Sequence, residues 1–150
     1  MSDIIAILAL VVSIYGLWYS YKIAKIFAQR NEDKMLIDEL LKMLSEMQAQ
    51  ASHFFLDNKQ VRPNPHIYVA SFSSKISLAQ FLIHILKNDR KLLQNNIDAP
   101  LSDLYLYGTL NAEKANKQKP EKNTEQFSNM DQAYLKCTSI IYQSFQSKYK

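Results

Sequence analysis

The stretch IIAILALVVSIYGLWYSY, Ile4 to Tyr21, carries no charge and lies between Asp3 and Lys22. As a helix rising roughly 1.5 Å per residue it covers about 27 Å, close to the hydrocarbon thickness of a bilayer. The sequence beyond Lys22 is polar enough for water. The stretch therefore reads as a single transmembrane helix from which the rest of the chain hangs. A cleaved signal peptide needs a basic leader and a small-residue cleavage site. Here Met1, Ser2 and Asp3 precede the run, and Trp18-Tyr19-Ser20-Tyr21 ends it. Those rings suit an aromatic belt at a membrane interface. A core helix of a soluble protein is the remaining reading that composition permits.

The flanks orient the span. Lys22, Lys25, Arg30 and Lys34 follow it, and Asp3 is the sole charged side chain before it. Basic residues close to a transmembrane end favour the cytoplasmic side. The expectation is a short N-terminus outside and a cytoplasmic C-terminal domain, the four basic residues lying at the anionic membrane surface. The single cysteine, Cys137, fits a reducing compartment, since it has no internal partner.

Ala6, Ala9, Ser13, Gly16 and Ser20 recur at spacings of three and four, so they share one face of the span. Lipid gives helices no hydrophobic drive to meet, and small residues let backbones approach. This stripe is the candidate transmembrane association face. A strict G-x-x-x-G is absent, and small residues are common in membrane helices for other reasons.

About 129 residues follow the anchor, enough for one modest domain. Two glycines and four prolines in the whole chain argue against a turn-rich β fold. The fold class that follows is all-α: a single N-terminal transmembrane helix and then a small cytoplasmic helical bundle. Its expected parts are an anchor at 1–27, a bundle core at 28–110, a Lys-rich flexible linker at 111–128 and a C-terminal amphipathic helix at 129–150 packing on the bundle. No glycine or proline interrupts Leu17 to Val61. Within it Ile37, Leu41, Leu44, Ala51 and Phe55 hold a coiled-coil-like heptad seam, widened by Leu36, Leu40, Met43, Met47 and Phe54 to a face that suits a bundle. The polar residues 29–34 read as a hinge or a solvated helical turn.

Helix one is expected to stop near Asp57–Gln60, before Arg62-Pro63-Asn64-Pro65. Ile67-Tyr68-Val69 reads as a short extended piece or a first helical turn. Ser77 and Gln80 resemble a capping box ahead of a central buried helix from Leu78 toward Ile97. Asp98-Ala99-Pro100 reads as another helix start. The last helix places Met130, Tyr134, Cys137, Ile141 and Phe145 on one face.

Chemistry is sparse. His53 and Asp57 are four apart, His66 sits among prolines, and His84 reads as a satisfied core or interface histidine. No ligand spacing for zinc, nucleophile elbow or glycine-rich phosphate loop occurs. No catalytic, cofactor-binding or metal residue is assigned, and no cofactor is called for. Lys114, Lys117, Lys119 and Lys122 are diluted by glutamates and lack a nucleic-acid module. The functional expectation is a non-enzymatic, membrane-anchored interaction subunit, an adaptor or accessory protein. It assembles through its transmembrane and cytoplasmic helices, with membrane lipid and a protein partner or further copies of itself (a homo-oligomer) as partners. The alternative is a small membrane-acting effector or toxin-like protein that oligomerises to perturb the bilayer. A span without charged residues is poorly equipped to line a pore. A membrane-tethered lipid or nucleic-acid binder ranks third.

Overall fold

The computed structural model describes the backbone of residues 2–57, 62–93, 97–115 and 117–149, with side chains from residue 6 onward. Among the described residues there are four α-helices and no strand: α1 (Ser2–Leu56), α2 (Pro65–His84), α3 (Asp98–Thr109) and α4 (Pro120–Tyr149). A π turn, Ile85–Asp89, extends α2, and a 3₁₀ turn, Ala112–Lys114, precedes α4. The protein is all-α. The chain divides into two compact units, Met1–Met35 and Leu36–Lys150, and α1 contributes to both. This boundary falls later than the anchor limit of 27, beside the first core residue of the second unit, Ile37.

In the first unit α1 is helical throughout its described length, residues 29–34 included. Every described side chain from Ala6 to Lys22 is exposed.

The second unit is built around one apolar core. From α1 it takes Leu40, Leu44, Met47, Ala51, Phe54 and Phe55; from α2, Tyr68, Phe72, Ile76, Ala79 and Ile83; from α3 and α4, Leu104, Met130, Cys137 and Ile141. The centre is aromatic. Tyr68 stacks on Phe54 with centroids 3.9 Å apart and planes 4° from parallel, and Phe55 meets both rings edge-on. The buried Tyr68 hydroxyl donates to the Gly108 carbonyl at 2.8 Å, fastening α2 to α3. Polar ties join α1 to its neighbours: Gln48 Nε2 donates to Asp131 of α4 at 2.8 Å, and Lys75 of α2 reaches Glu46 at 3.1 Å.

The helix ends follow local chemistry. α1 stops at Leu56, where the Arg62 guanidinium donates to the carbonyls of Phe55 and Asp57 and, through Nη1, to that of Ala115. Asn64 Oδ1 accepts from the His66 amide and Pro65 takes the first helical position, so α2 begins there. Ile67-Tyr68-Val69 is thus helical. Ser77 and Gln80 lie inside α2 and form no capping box; with local amides already paired, the Ser77 hydroxyl donates to the Ser73 carbonyl.

The helix expected to run toward Ile97 ends much earlier. Its last turn widens, with the Arg90 amide reaching the Ile85 carbonyl, and Lys91 takes a left-handed φ of 48°. That reversal carries Leu92 and Leu93 into the core, their amides both reaching the Leu86 carbonyl. Nor is α2 wholly buried, since Ile67, Leu78 and Phe81 face outward.

The linker expected over 111–128 is largely structured: α4 starts at Pro120, not at 129. Its first inward positions are Asn123 and Gln126, which apolar periodicity does not register. The Gln126 amide donates to the Tyr107 and Leu110 carbonyls at the end of α3, and Asn123 donates to the Ala115 carbonyl. Buried amides here do the capping that a glycine often does at a helix end.

Gly108 is where α3 meets Phe72, and a Cβ placed there would overlap the Phe72 ring. Gly108→Ala should therefore destabilise by about 1–3 kcal/mol despite a helix-propensity gain of roughly 1 kcal/mol. Gly16→Ala, with no atom within 4 Å of an added Cβ, has only that propensity gain and should not destabilise the protein. Thermal unfolding followed by circular dichroism checks this; equal midpoints for Gly108→Ala and wild type would refute the packing argument.

Candidate functional site

The chemically capable side chains do not converge. Among the described residues no three of His, Cys, Asp and Glu gather as a metal-binding group. His53 Nδ1 lies 3.0 Å from Asp57 Oδ2 on an exposed edge, and His66 sits 3.8 Å from Glu113. His84 is exposed, not in the core, and its Nδ1 lies 2.9 Å from Asn88 Nδ2. An open polar hollow of about 550 Å³ lies between the end of α3 and the start of α4, lined by Lys114, Lys122, Glu125 and Gln126 among others. The Gln126 amide there is committed to capping α3.

Cys137 is fully buried on the inner face of α4. Loss of solvation pushes its thiol up to about 12, with the negative charge of Asp103 adding to the shift. Burial likewise raises the Tyr68 hydroxyl well above its usual range. Both groups are neutral and structural at physiological pH. The Cys137 thiol of the folded, full-length protein should thus stay unreactive toward Ellman's reagent at pH 8 and react once denatured; reaction at the rate of a free thiol without denaturant would contradict this.

The surface that stands out is apolar. Eleven large apolar side chains from Ile7 to Tyr21 are each at least half exposed, Leu17 at 73%. The candidate association face (Ala6, Ala9, Ser13, Gly16, Ser20) is exposed along its whole length. The Ser13 hydroxyl is satisfied within the helix, donating to the Ala9 carbonyl at 2.8 Å. At the Lys22 end the rings order one another: Tyr15 lies 6.0 Å from Trp18 and stacks on Tyr19 at 6.4 Å, and the Lys22 ammonium sits 5.3 Å from the Trp18 centroid. Lys22, Lys25, Arg30 and Lys34 are all exposed.

The heptad seam has a different fate. Ile37, Leu44, Ala51 and Phe55 are buried and Leu41 is half-buried within Leu36–Lys150 itself. These residues are covered by their own chain. What the sequence reading missed is the outer face of α2, where Ile67, Leu78 and Phe81 are uncovered. The signal was present: α2 is apolar on most faces, and one helix can bury only one side in a unit this small.

The chain matches no protein-family model, and comparison with curated proteins and with solved structures found no significant match.

Proposed function

We propose that the chain is a non-enzymatic, membrane-anchored helical interaction subunit. Its span is Ile4–Tyr21, its N-terminus lies outside, and Leu36–Lys150 forms a cytoplasmic helical bundle. The observation that carries this reading is the uncovered apolar helix from Ala6 to Tyr21. Covering a large apolar side chain is worth about 1.5–3 kcal/mol. Eleven left in water cost more than 15 kcal/mol, as much as the whole stability of a typical domain, about 5–15 kcal/mol. The helix therefore needs a cover along its full length and all around it.

A bilayer supplies such a cover. The apolar stretch at the start of α1 is long enough to cross a bilayer, and none of it is buried. The Tyr15, Trp18 and Tyr19 rings beside Lys22 suit a headgroup boundary, and the basic residues beyond suit the cytoplasmic side. Ser13 fits hydrocarbon because its hydroxyl already has a partner. The small-residue face then favours contact with another membrane helix or a second copy. Lys22, Lys25, Arg30 and Lys34 add attraction to anionic lipid.

Two measurements test the reading. The full-length protein should stay in the membrane pellet after alkaline carbonate, and a reporter fused after Lys150 should behave as cytoplasmic; release, or external reporter activity, ends the anchor reading. Disulfide crosslinking through Ala9→Cys or Ser13→Cys, in a Cys137→Ala background, should fall several-fold on Gly16→Leu, since leucine suits lipid but blocks backbone approach. Crosslinking that is absent at the outset or unmoved by Gly16→Leu removes self-association through this face.

A further inference from the structure

The turn between α3 and α4 brings little apolar surface to the second unit. It opens at Asn111, which takes a left-handed φ of 56°, and continues as the 3₁₀ turn Ala112–Lys114. Its own hydrogen bonds are local: the Lys114 amide donates to the Asn111 carbonyl and the Ala115 amide to that of Ala112. Asn111, Glu113 and Lys114 are exposed, and the buried side chains are those of Ala112 and Ala115. A methyl is the smallest apolar side chain, so lifting these two from the core forfeits little hydrophobic stabilisation.

What holds the turn is polar and converges on one atom. The Ala115 carbonyl accepts from Arg62 Nη1 at 2.9 Å and from Asn123 Nδ2 at 3.1 Å. Among the described residues no other segment hydrogen-bonds to Asn111–Ala115. The His66–Glu113 pair, 3.8 Å apart with both side chains exposed, adds little. Arg62 is the stronger of the two holders, since a charged donor makes the stronger bond. Its Nε and Nη2 are anchored on the carbonyls of Asp57 and Phe55, which keeps Nη1 in place for the turn. Asn123 pulls both ways. It is 2% exposed, and its Oδ1 has no hydrogen-bond donor among the described residues. A buried acceptor without a donor is costly until water reaches it.

We propose that Asn111–Ala115 is a latched turn that lifts from the second unit while the core stays folded, with Arg62 as the latch. Lifting parts the Ala115 carbonyl from the guanidinium and admits water to Asn123. It also withdraws Asn111 and Lys114 from one wall of the 550 Å³ hollow and leaves Lys122, Glu125 and Gln126 of α4 as the other. The Gln126 bonds to the Tyr107 and Leu110 carbonyls keep the end of α3 capped, so the movement stops at Leu110. Local openings of this kind fall below global unfolding in free energy where buried apolar contacts are few.

The test is native-state hydrogen exchange of the full-length protein in detergent micelles, read amide by amide by NMR. In sub-denaturing urea the amides of Lys114, Ala115 and Gln118, whose acceptors are Asn111, Ala112 and Lys114, should exchange at rates that urea hardly moves. Those of Phe72 and Ile76 in α2 should exchange more slowly and quicken with urea. The same rate and urea dependence in both sets leaves no separate opening and overturns the inference. Arg62→Lys, whose ammonium cannot serve three carbonyls at once, should quicken the first set about tenfold and leave the second unmoved. Equal quickening of both sets makes Arg62 a support of the whole fold, and no quickening in either makes it no latch; each result overturns the inference.

Discussion

Tyr68 is the joint on which the second unit depends. One face of its ring stacks on Phe54 of α1 at 3.9 Å, and its hydroxyl crosses to the Gly108 carbonyl of α3. Aromatic pairs add about 0.5–1.5 kcal/mol beyond area burial, and a buried hydrogen bond about 1 kcal/mol. Each sum is small, but both ends of the side chain are fixed together. That sets how far α3 can slide along α2, and the absence of a side chain at Gly108 lets Phe72 pack beside the same bond. With α3 in place, its last carbonyls meet Gln126, and α4 is positioned in turn. Arg62 closes the other end by serving the carbonyls of Phe55, Asp57 and Ala115 with one guanidinium.

What the sequence made legible were features carried by apolar spacing or by proline. The α-helical class, the end of α1, the start of α3 at Asp98 and the inner face around Met130, Cys137 and Ile141 all follow from such signals. What it hid were features carried by polar side chains acting at a distance. The first turns of α4 looked like linker because Asn123 and Gln126 occupy its inner positions, and their partners are carbonyls of other segments. Ser77 and Gln80 imitated a helix start because the true one, Asn64-Pro65, lies upstream. The reversal at Lys91 has no glycine to announce it, and the burial of Leu92 and Leu93 holds it in place.

The heptad seam teaches a related point. Ile37, Leu41, Leu44, Ala51 and Phe55 look alike whether a helix meets another chain or its own. Periodicity reports that a face is covered, not by what. Here α2 and α4 lie within reach of α1, as the Lys75–Glu46 and Gln48–Asp131 ties attest. The apolar residues left exposed include those of the Ala6–Tyr21 helix and of the outer side of α2.

The character of the exposed helix also bears on what an anchor of this kind can do. A pore needs polar groups turned toward water and left free to replace an ion's hydration. From Ala6 to Tyr21 no side chain is charged, and the hydroxyl of Ser13 is already spent on the Ala9 carbonyl. The small face formed by Ala6, Ala9, Ser13, Gly16 and Ser20 offers close approach but few free hydrogen bonds. Such a face favours helices that touch over helices that part around water, so in the proposed anchor association and conduction pull in opposite directions. A function built on contact follows more directly from these side chains than one built on permeation.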